Sequence, residues 1–281
     1  MKPETATEKT IPMNSGDSAR PGDITEVAVQ DLGEGGEGIG KLPDGLTCFV
    51  PGLLPGESGK VRIAVRKKNY ATGKLLERTF TSSERVEPPC PYFEECGGCQ
   101  IMHLRDAAQL EMKRSQVGQA LQRISGISIE VPPLIPSPSM LGYRNKLSLP
   151  VKGTSREPLI GFYKRGSHHA VDIAKCRVGL MAHEGILRTL RTWTSEKRIP
   201  IYVEKIAEGL LRHIVIRSSR DGSKIMVVLV VREEVPVLRS AAQLFFNREG
   251  LPSREVTSLY LNVNENEGNA ILGKKSMLLG G

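Results

Sequence analysis

The stretch Cys90-Pro-Tyr-Phe-Glu-Glu-Cys96-Gly-Gly-Cys99 limits what this chain can fold into more than any other. Three of its 5 cysteines fall within these ten positions, and the other two, Cys48 and Cys176, stand far away. Thiolates need little chain between them to reach a shared metal. Gly97-Gly98 lets the backbone turn tightly and bring N–H groups close to sulfur. Pro89 and Pro91 stiffen the approach to the first cysteine. Three ligands leave a four-coordinate site one short, and Cys176 is the expected fourth.

Zinc sites built from four cysteines usually arrive as two close pairs, and only one such pair is present. A close triad plus one remote cysteine is the commoner layout for an iron–sulfur cluster. Cys90, Cys96, Cys99 and Cys176 are therefore expected to hold a 4Fe-4S cluster, with zinc as the alternative. Lys175 and Arg177 flank Cys176 and would offset the negative charge of four thiolates. His168 and His169 are alternative ligands, but adjacent side chains usually diverge, so both read as strand or loop histidines. The odd cysteine count and the polar N-terminus argue against disulfides and against a secretory signal. No apolar run is long enough to span a bilayer. A cytoplasmic, reducing setting without membrane contact is expected.

Residues 1–22 are rich in Glu, Thr, Lys, Pro and Ser and read as a disordered leader. From Ile24 the pattern changes to short strands separated by glycine and proline turns. Candidate strands are 24–31, 38–42, 46–50, 60–68 and 74–80, which together predict a small barrel of the oligonucleotide-binding type over 23–88. Gly33-Glu-Gly35-Gly-Glu-Gly38 matches a dinucleotide-binding pattern in letters alone. A strand and turn follow where that pattern needs a helix, so it reads as a barrel turn. Cys48, between Thr47 and Phe49, reads as packing.

The segment 89–130 is expected to comprise the cysteine loop and one helix, 104–125. Leu110, Val117, Leu121 and Ile124 form that helix's apolar stripe, and Gly126 is its stop. A proline-rich connection then leads into 131–281, where strands at 144–151, 159–163, 210–217, 224–231 and 258–264 alternate with helices at 181–195 and 237–246. That pattern predicts an α+β domain. Trp193 is expected in its core.

A net charge of +8 points to an anionic partner, nucleic acid first. On the predicted barrel, Lys60, Arg62, Arg66, Lys67, Lys68 and Lys74 surround Tyr70. Strand alternation would put Lys60, Arg62, Arg66 and Lys68 on one face, with Tyr70 free to stack on a base. Arg144 and Lys146 are further candidate phosphate contacts.

Taken together, the basic barrel resembles the RNA-binding TRAM domain. The motif Cys90-x5-Cys96-Gly-Gly-Cys99-Gln100-x2-His103-Leu104 with a far Cys176 resembles that of the iron–sulfur RNA (uracil-5-)-methyltransferases. So does the order of Tyr143-Arg-Asn-Lys, Leu211-Arg-His-Ile-Val-Ile-Arg217, Asn262-Val-Asn264 and Gly268-Asn-Ala-Ile-Leu-Gly273. The resemblance implies recognition of RNA, rRNA rather than tRNA. It also implies an S-adenosylmethionine-binding C-terminal domain bearing a catalytic cysteine and a general base. No match to those catalytic segments is found before Gly281. The expectation is therefore a chain that holds the recognition and cluster portion, needs S-adenosylmethionine only in a full-length relative, and transfers no methyl group alone. The alternative is a stand-alone RNA-binding iron–sulfur protein with a structural or redox-sensing role.

Overall fold

The computed structural model describes residues 18–246 and 256–281. The chain divides into two compact units. One takes the described residues up to Pro88 together with Gln100–Pro136; the other takes Pro89–Cys99 together with Ser137–Gly281. The segment expected as one piece, 89–130, is thus shared. Its cysteines go to one unit and its helix to the other.

In the first unit five strands close a barrel. They are β1 (Ile24–Leu32), β2 (Gly38–Lys41), β3 (Thr47–Val50), β4 (Ser58–Arg66) and β5 (Ala71–Phe80), in the order β1-β2-β3-β5-β4. Alternation in β1 and β4 turns Val27, Val29, Val61 and Ile63 inward, where they meet Cys48, Val50 and Leu53. The closing pair, β3 with β5, is parallel and short, with Cys48 opposite Ala71 and Phe49 opposite Thr72. Residues 33–37 form the β1–β2 turn, and Gly38, expected in it, opens β2. The expected leader falls mainly on residues 1–17, which lie outside the described residues. Of its last members, Ala19 is buried in the barrel core.

Helix α1 (Asp106–Ala120) runs into one π-turn (Leu121–Ser125) and stops at Gly126, whose φ of 70° suits a left-handed cap. Its packed face corrects the expected stripe. Ala108 and Met112 join Leu104 against Leu32 and Leu54, and Gln109 is buried, whereas Val117 and Ile124 face water. The reason is polar. β1 changes register between Val29 and Asp31, and the rim beyond that shift presents groups that need partners. Gln116 and Gln119 donate there, to the Leu32 carbonyl at 3.4 Å and to the Asp31 carboxylate at 3.2 Å.

The second unit is a seven-stranded sheet with helices packed on it. Its strands are β6 (Lys146–Gly153), β7 (Pro158–Tyr163), β8 (Ala170–Asp172), β9 (Leu211–Ser218), β10 (Ile225–Val231), β11 (Val256–Val263) and β12 (Lys275–Gly280), ordered β12-β11-β10-β9-β6-β7-β8. All pairs are antiparallel except β10 with β11. β10 reads Ile-Met-Val-Val-Leu-Val-Val because it is central and buried on both faces. Helix α2 (Ala182–Glu196) lays Ile186, Leu187, Leu190 and Trp193 on one face of the sheet. The expected helix 237–246 is a 3-10 helix, Pro236–Leu244, whose Leu238 and Ala241 join that same core. Barrel followed by mixed α and β structure is the expected architecture, while β8 and β12 were not anticipated.

Candidate cysteine centre and nucleic-acid interface

Pairing between backbones draws the cysteine loop to the end of β7. Cys96 bridges to Lys164, and the Gly97 N–H donates to the Tyr163 carbonyl at 2.9 Å. Inside the loop, the Cys96 N–H donates to the Tyr92 carbonyl at 2.7 Å and closes the turn. The Tyr92 hydroxyl accepts from the Ala174 N–H at 3.2 Å, tying the loop to the segment that leads into Cys176. That segment is fixed in turn by the Ile173 N–H on the Ile160 carbonyl at 3.0 Å. Cys96 is buried with Val171 and Ile173, and Tyr92, Phe162 and Cys176 pack against them.

All five cysteines carry free thiols. Burial pushes the Cys96 thiol up; the Gly98 N–H, 3.3 Å from its sulfur, pulls it down, and charge on Cys176 or Cys90 raises it again. At Cys99, burial again raises the thiol, the Arg144 guanidinium lowers it, and Cys176, Cys96 and Cys90 raise it. Cys96 and Cys99 therefore both feel the charge of the other thiols expected to act with them. Four such groups cannot all ionise unless positive charge sits among them. Among the described residues, no three His, Cys, Asp or Glu side chains converge tightly enough to ligate a single ion.

The surrounding charges are arranged differently from expectation. Lys175 is engaged by Glu184 at 3.3 Å. Arg144, expected to meet phosphate, is half-buried and bears on the cysteines, its N–H donating to the Val178 carbonyl at 2.7 Å. That proximity depends on a bridge from Arg144 to Gly179, for which no local sequence signal exists. His168 and His169 lie in the β7–β8 loop, with His168 edge-on to Tyr163 at 5.5 Å. Cys48 is fully buried in the barrel, and burial pushes its thiol up to about 11.

The basic edge of the barrel is sorted by its partners. Arg66 is committed to the fold: it pairs with Asp44 at 2.6 Å and donates to the Ala19 carbonyl at 3.1 Å. Lys60 pairs with Glu77 at 2.8 Å. Arg62 is half-buried on β4, opposite Lys74 of β5. Lys68 does not share their strand face, because β4 ends at Arg66. Lys67, Lys68 and Tyr70 instead form the β4–β5 turn, closed by the Lys67 N–H on the Tyr70 carbonyl at 2.8 Å. Tyr70 is 40% exposed and braced edge-on by Phe49 at 5.8 Å. Lys67, Lys68 and Lys74 are exposed and make no ion pair among the described residues. The turn therefore offers an exposed ring next to two unpaired cations, with Lys74 further along β5. Lys146 is exposed at the start of β6.

Residues 19–76 match the TRAM domain family. An "uncharacterized RNA methyltransferase" of Clostridium tetani is 37% identical over 253 residues, 90% of this chain and 54% of the relative. One of Halalkalibacterium halodurans is 36% identical, over 92% of this chain and 56% of the relative. Among solved structures, the Pyrococcus abyssi tRNA (uracil-54, C5)-methyltransferase in complex with S-adenosyl-L-homocysteine aligns with a TM-score of 0.65 and 26% identity. That alignment covers 89% of this chain and 55% of the archaeal one. The chain is thus homologous to RNA methyltransferases and contains a TRAM barrel. It spans about half the length of the curated relatives it matches. The expectation of a chain lacking its catalytic domain gains no support from matches that take in nine-tenths of it. Among the described residues, no helix is long and apolar enough to cross a membrane.

Proposed function

We propose that this chain, homologous to RNA methyltransferases, supplies the RNA-recognition and cysteine-centre portion of an S-adenosylmethionine-dependent RNA uracil-C5 methyltransferase acting in the cytoplasm. The observation that carries the reading is the TRAM barrel with its exposed turn, Lys67, Lys68 and Tyr70, beside Lys74. Unpaired cations next to an exposed ring suit phosphates next to a stacked base. Uracil C5 methylation needs a thiolate to add at C6, a sulfonium donor and a base to remove the C5 proton. Cys48 is poorly suited to be that thiolate, being buried with a raised pKa. The remaining cysteines are the ones this reading assigns to the cluster. The residues described here accordingly hold RNA rather than transfer the methyl group.

Cys90, Cys96, Cys99 and Cys176 are the residues that would hold a 4Fe-4S cluster. What supports this is the chemistry of the donor set, soft thiols with an N–H donor at Cys96 and a guanidinium bearing on Cys96 and Cys99; against it stands that no three metal-ligating side chains converge among the described residues. Such a cluster supplies a rigid cross-link between the loop and residue 176. Anaerobically purified protein should be brown, absorb near ~400 nm and carry iron and sulfide, as thiolate-ligated iron clusters do. Stoichiometric zinc without iron would remove the cluster from the reading.

The test of the whole reading incubates residues 1–281 with 23S rRNA and with tRNA, in the presence of labelled S-adenosylmethionine. Salt-sensitive binding, tighter for rRNA, without label at uracil C5 is the expected result. Label at C5 would move the chemistry into this chain, and absence of RNA binding would end the recognition reading.

A further inference from the structure

Beside the cysteine loop, the β7–β8 hairpin encloses a cleft of about 530 Å³, within the usual size of ligand sites. Three rings line it, those of Phe162, Tyr163 and His168, together with the cations Lys164 and Arg165. Two carboxylates border it: Glu204 is hydrogen-bonded to Tyr163 and lies 4.0 Å from the His168 Nδ1, and Glu95 holds Lys164, which leaves Arg165 as the cation without an acidic partner among the described residues. The rings are held in place. Tyr163 ends β7, with Lys152 5.8 Å from its ring centre, and His168 stands edge-on to it. The loop carrying His168 is pinned by the Lys164 N–H on the His169 carbonyl at 2.7 Å and by the Ser167 N–H on the Lys164 carbonyl at 3.1 Å. Arg165 spends one donor on the Cys99 carbonyl at 3.0 Å and keeps the rest of its fork. Lys164 pairs with Glu95 at 2.7 Å, so Arg165 is the freer cation. The His168 side chain is 81% exposed, so one side of the cleft is open to a strand lying across it.

Rings beside an unspent guanidinium, in an open cleft, are the chemistry that recognises a base and its phosphate together. Resting on the RNA reading above, we propose that this cleft takes one unstacked nucleotide of a single-stranded RNA segment, its base against Tyr163 and His168 and its phosphate at Arg165. It would form a contact separate from the barrel turn, built on the same hairpin that seats the cysteine loop.

The test measures binding of labelled oligouridylate, and of the same strand with abasic positions, to residues 1–281. The native protein should prefer the strand with bases by about five- to tenfold, as one stacked base contributes. Measured in a Tyr70→Ala background, which removes stacking at the barrel turn, His168→Ala, a change at an exposed position, should lower that preference severalfold, and His168→Trp should restore it. A strand carrying 4-thiouridine should cross-link within residues 162–168. Full preference in His168→Ala, or cross-links only elsewhere, would overturn the proposal. RNA binding that depends on Lys67 and Lys68 but ignores His168 removes the cleft alone. Loss of all RNA affinity in the native protein removes the recognition reading beneath it.

Discussion

Glu57 has a side chain wholly out of water, and burial alone would raise its carboxyl. Two hydrogen bonds from Arg85, at 2.7 and 2.8 Å, and the Leu54 N–H at 2.8 Å outweigh burial and hold it below its ordinary 4.5. Its contribution to stability is present above that value and drains as pH falls through the lower folded one. Glu57→Gln leaves the Arg85 charge buried without its partner. It should cost the barrel about 3 kcal/mol in urea unfolding near neutral pH. His213 works in the same direction from a higher pH. Burial first, then the charges of Lys152 and Arg212, push it down from 6.5 to about 4. The unfolded chain therefore takes up this proton first, and the sheet unit should weaken as pH falls from 6.5 to about 4. His213→Gln should flatten that part of the profile, read as urea midpoints across the range. Neither role was legible in the sequence. Pro55-Gly-Glu-Ser58 looks like an exposed turn, and Arg85 lies 28 positions from Glu57. The closeness of Cys90, Cys96 and Cys99 along the chain is plain in the sequence, whereas the effect of Arg144 on Cys96 and Cys99 is set by sheet register.

Among the elements, β1 to β7 and β9 to β11 announced themselves through alternation and bounding turns, and each lies within a few residues of its expected place. β8 has three residues, too few for a period to show, and β12 is a half-exposed edge with no clear alternation. The packed face of α1 was misread because amide side chains, rather than an apolar stripe, meet the barrel rim. Gly161 governs the β7–β8 pair. A Cβ there would lie 1.8 Å from the Val171 carbonyl oxygen and 3.0 Å from the Ile173 nitrogen, both backbone. Gly161→Ala must therefore push β8 off β7, displacing Ile173 and with it the lead into Cys176. Destabilisation of about 2 kcal/mol is expected, and on the proposed cluster reading iron content should fall with it. Unchanged iron with lowered stability would show that the cysteine centre tolerates movement of β8.

For the molecule as a whole, affinity for RNA should rest on cations that the fold leaves unspent. Replacing Lys67, Lys68 and Lys74 together by alanine should flatten the salt dependence of binding by about 2 in log–log slope. Replacing Arg66 should instead loosen the barrel, because its partners are Asp44 and Ala19. The path of the backbone adds a constraint on assembly. It leaves the barrel unit at Pro88, returns at Gln100 and departs again after Pro136. On the ribosome, Cys90, Cys96 and Cys99 emerge long before Cys176, and the helix that covers Leu32 and Leu54 emerges between them. Chains are made at roughly 5–20 residues per second, so on the proposed cluster reading the three thiols would wait some seconds for the fourth. During that interval they are bare, and any oxidant or stray metal ion in the cell meets them before the sheet does.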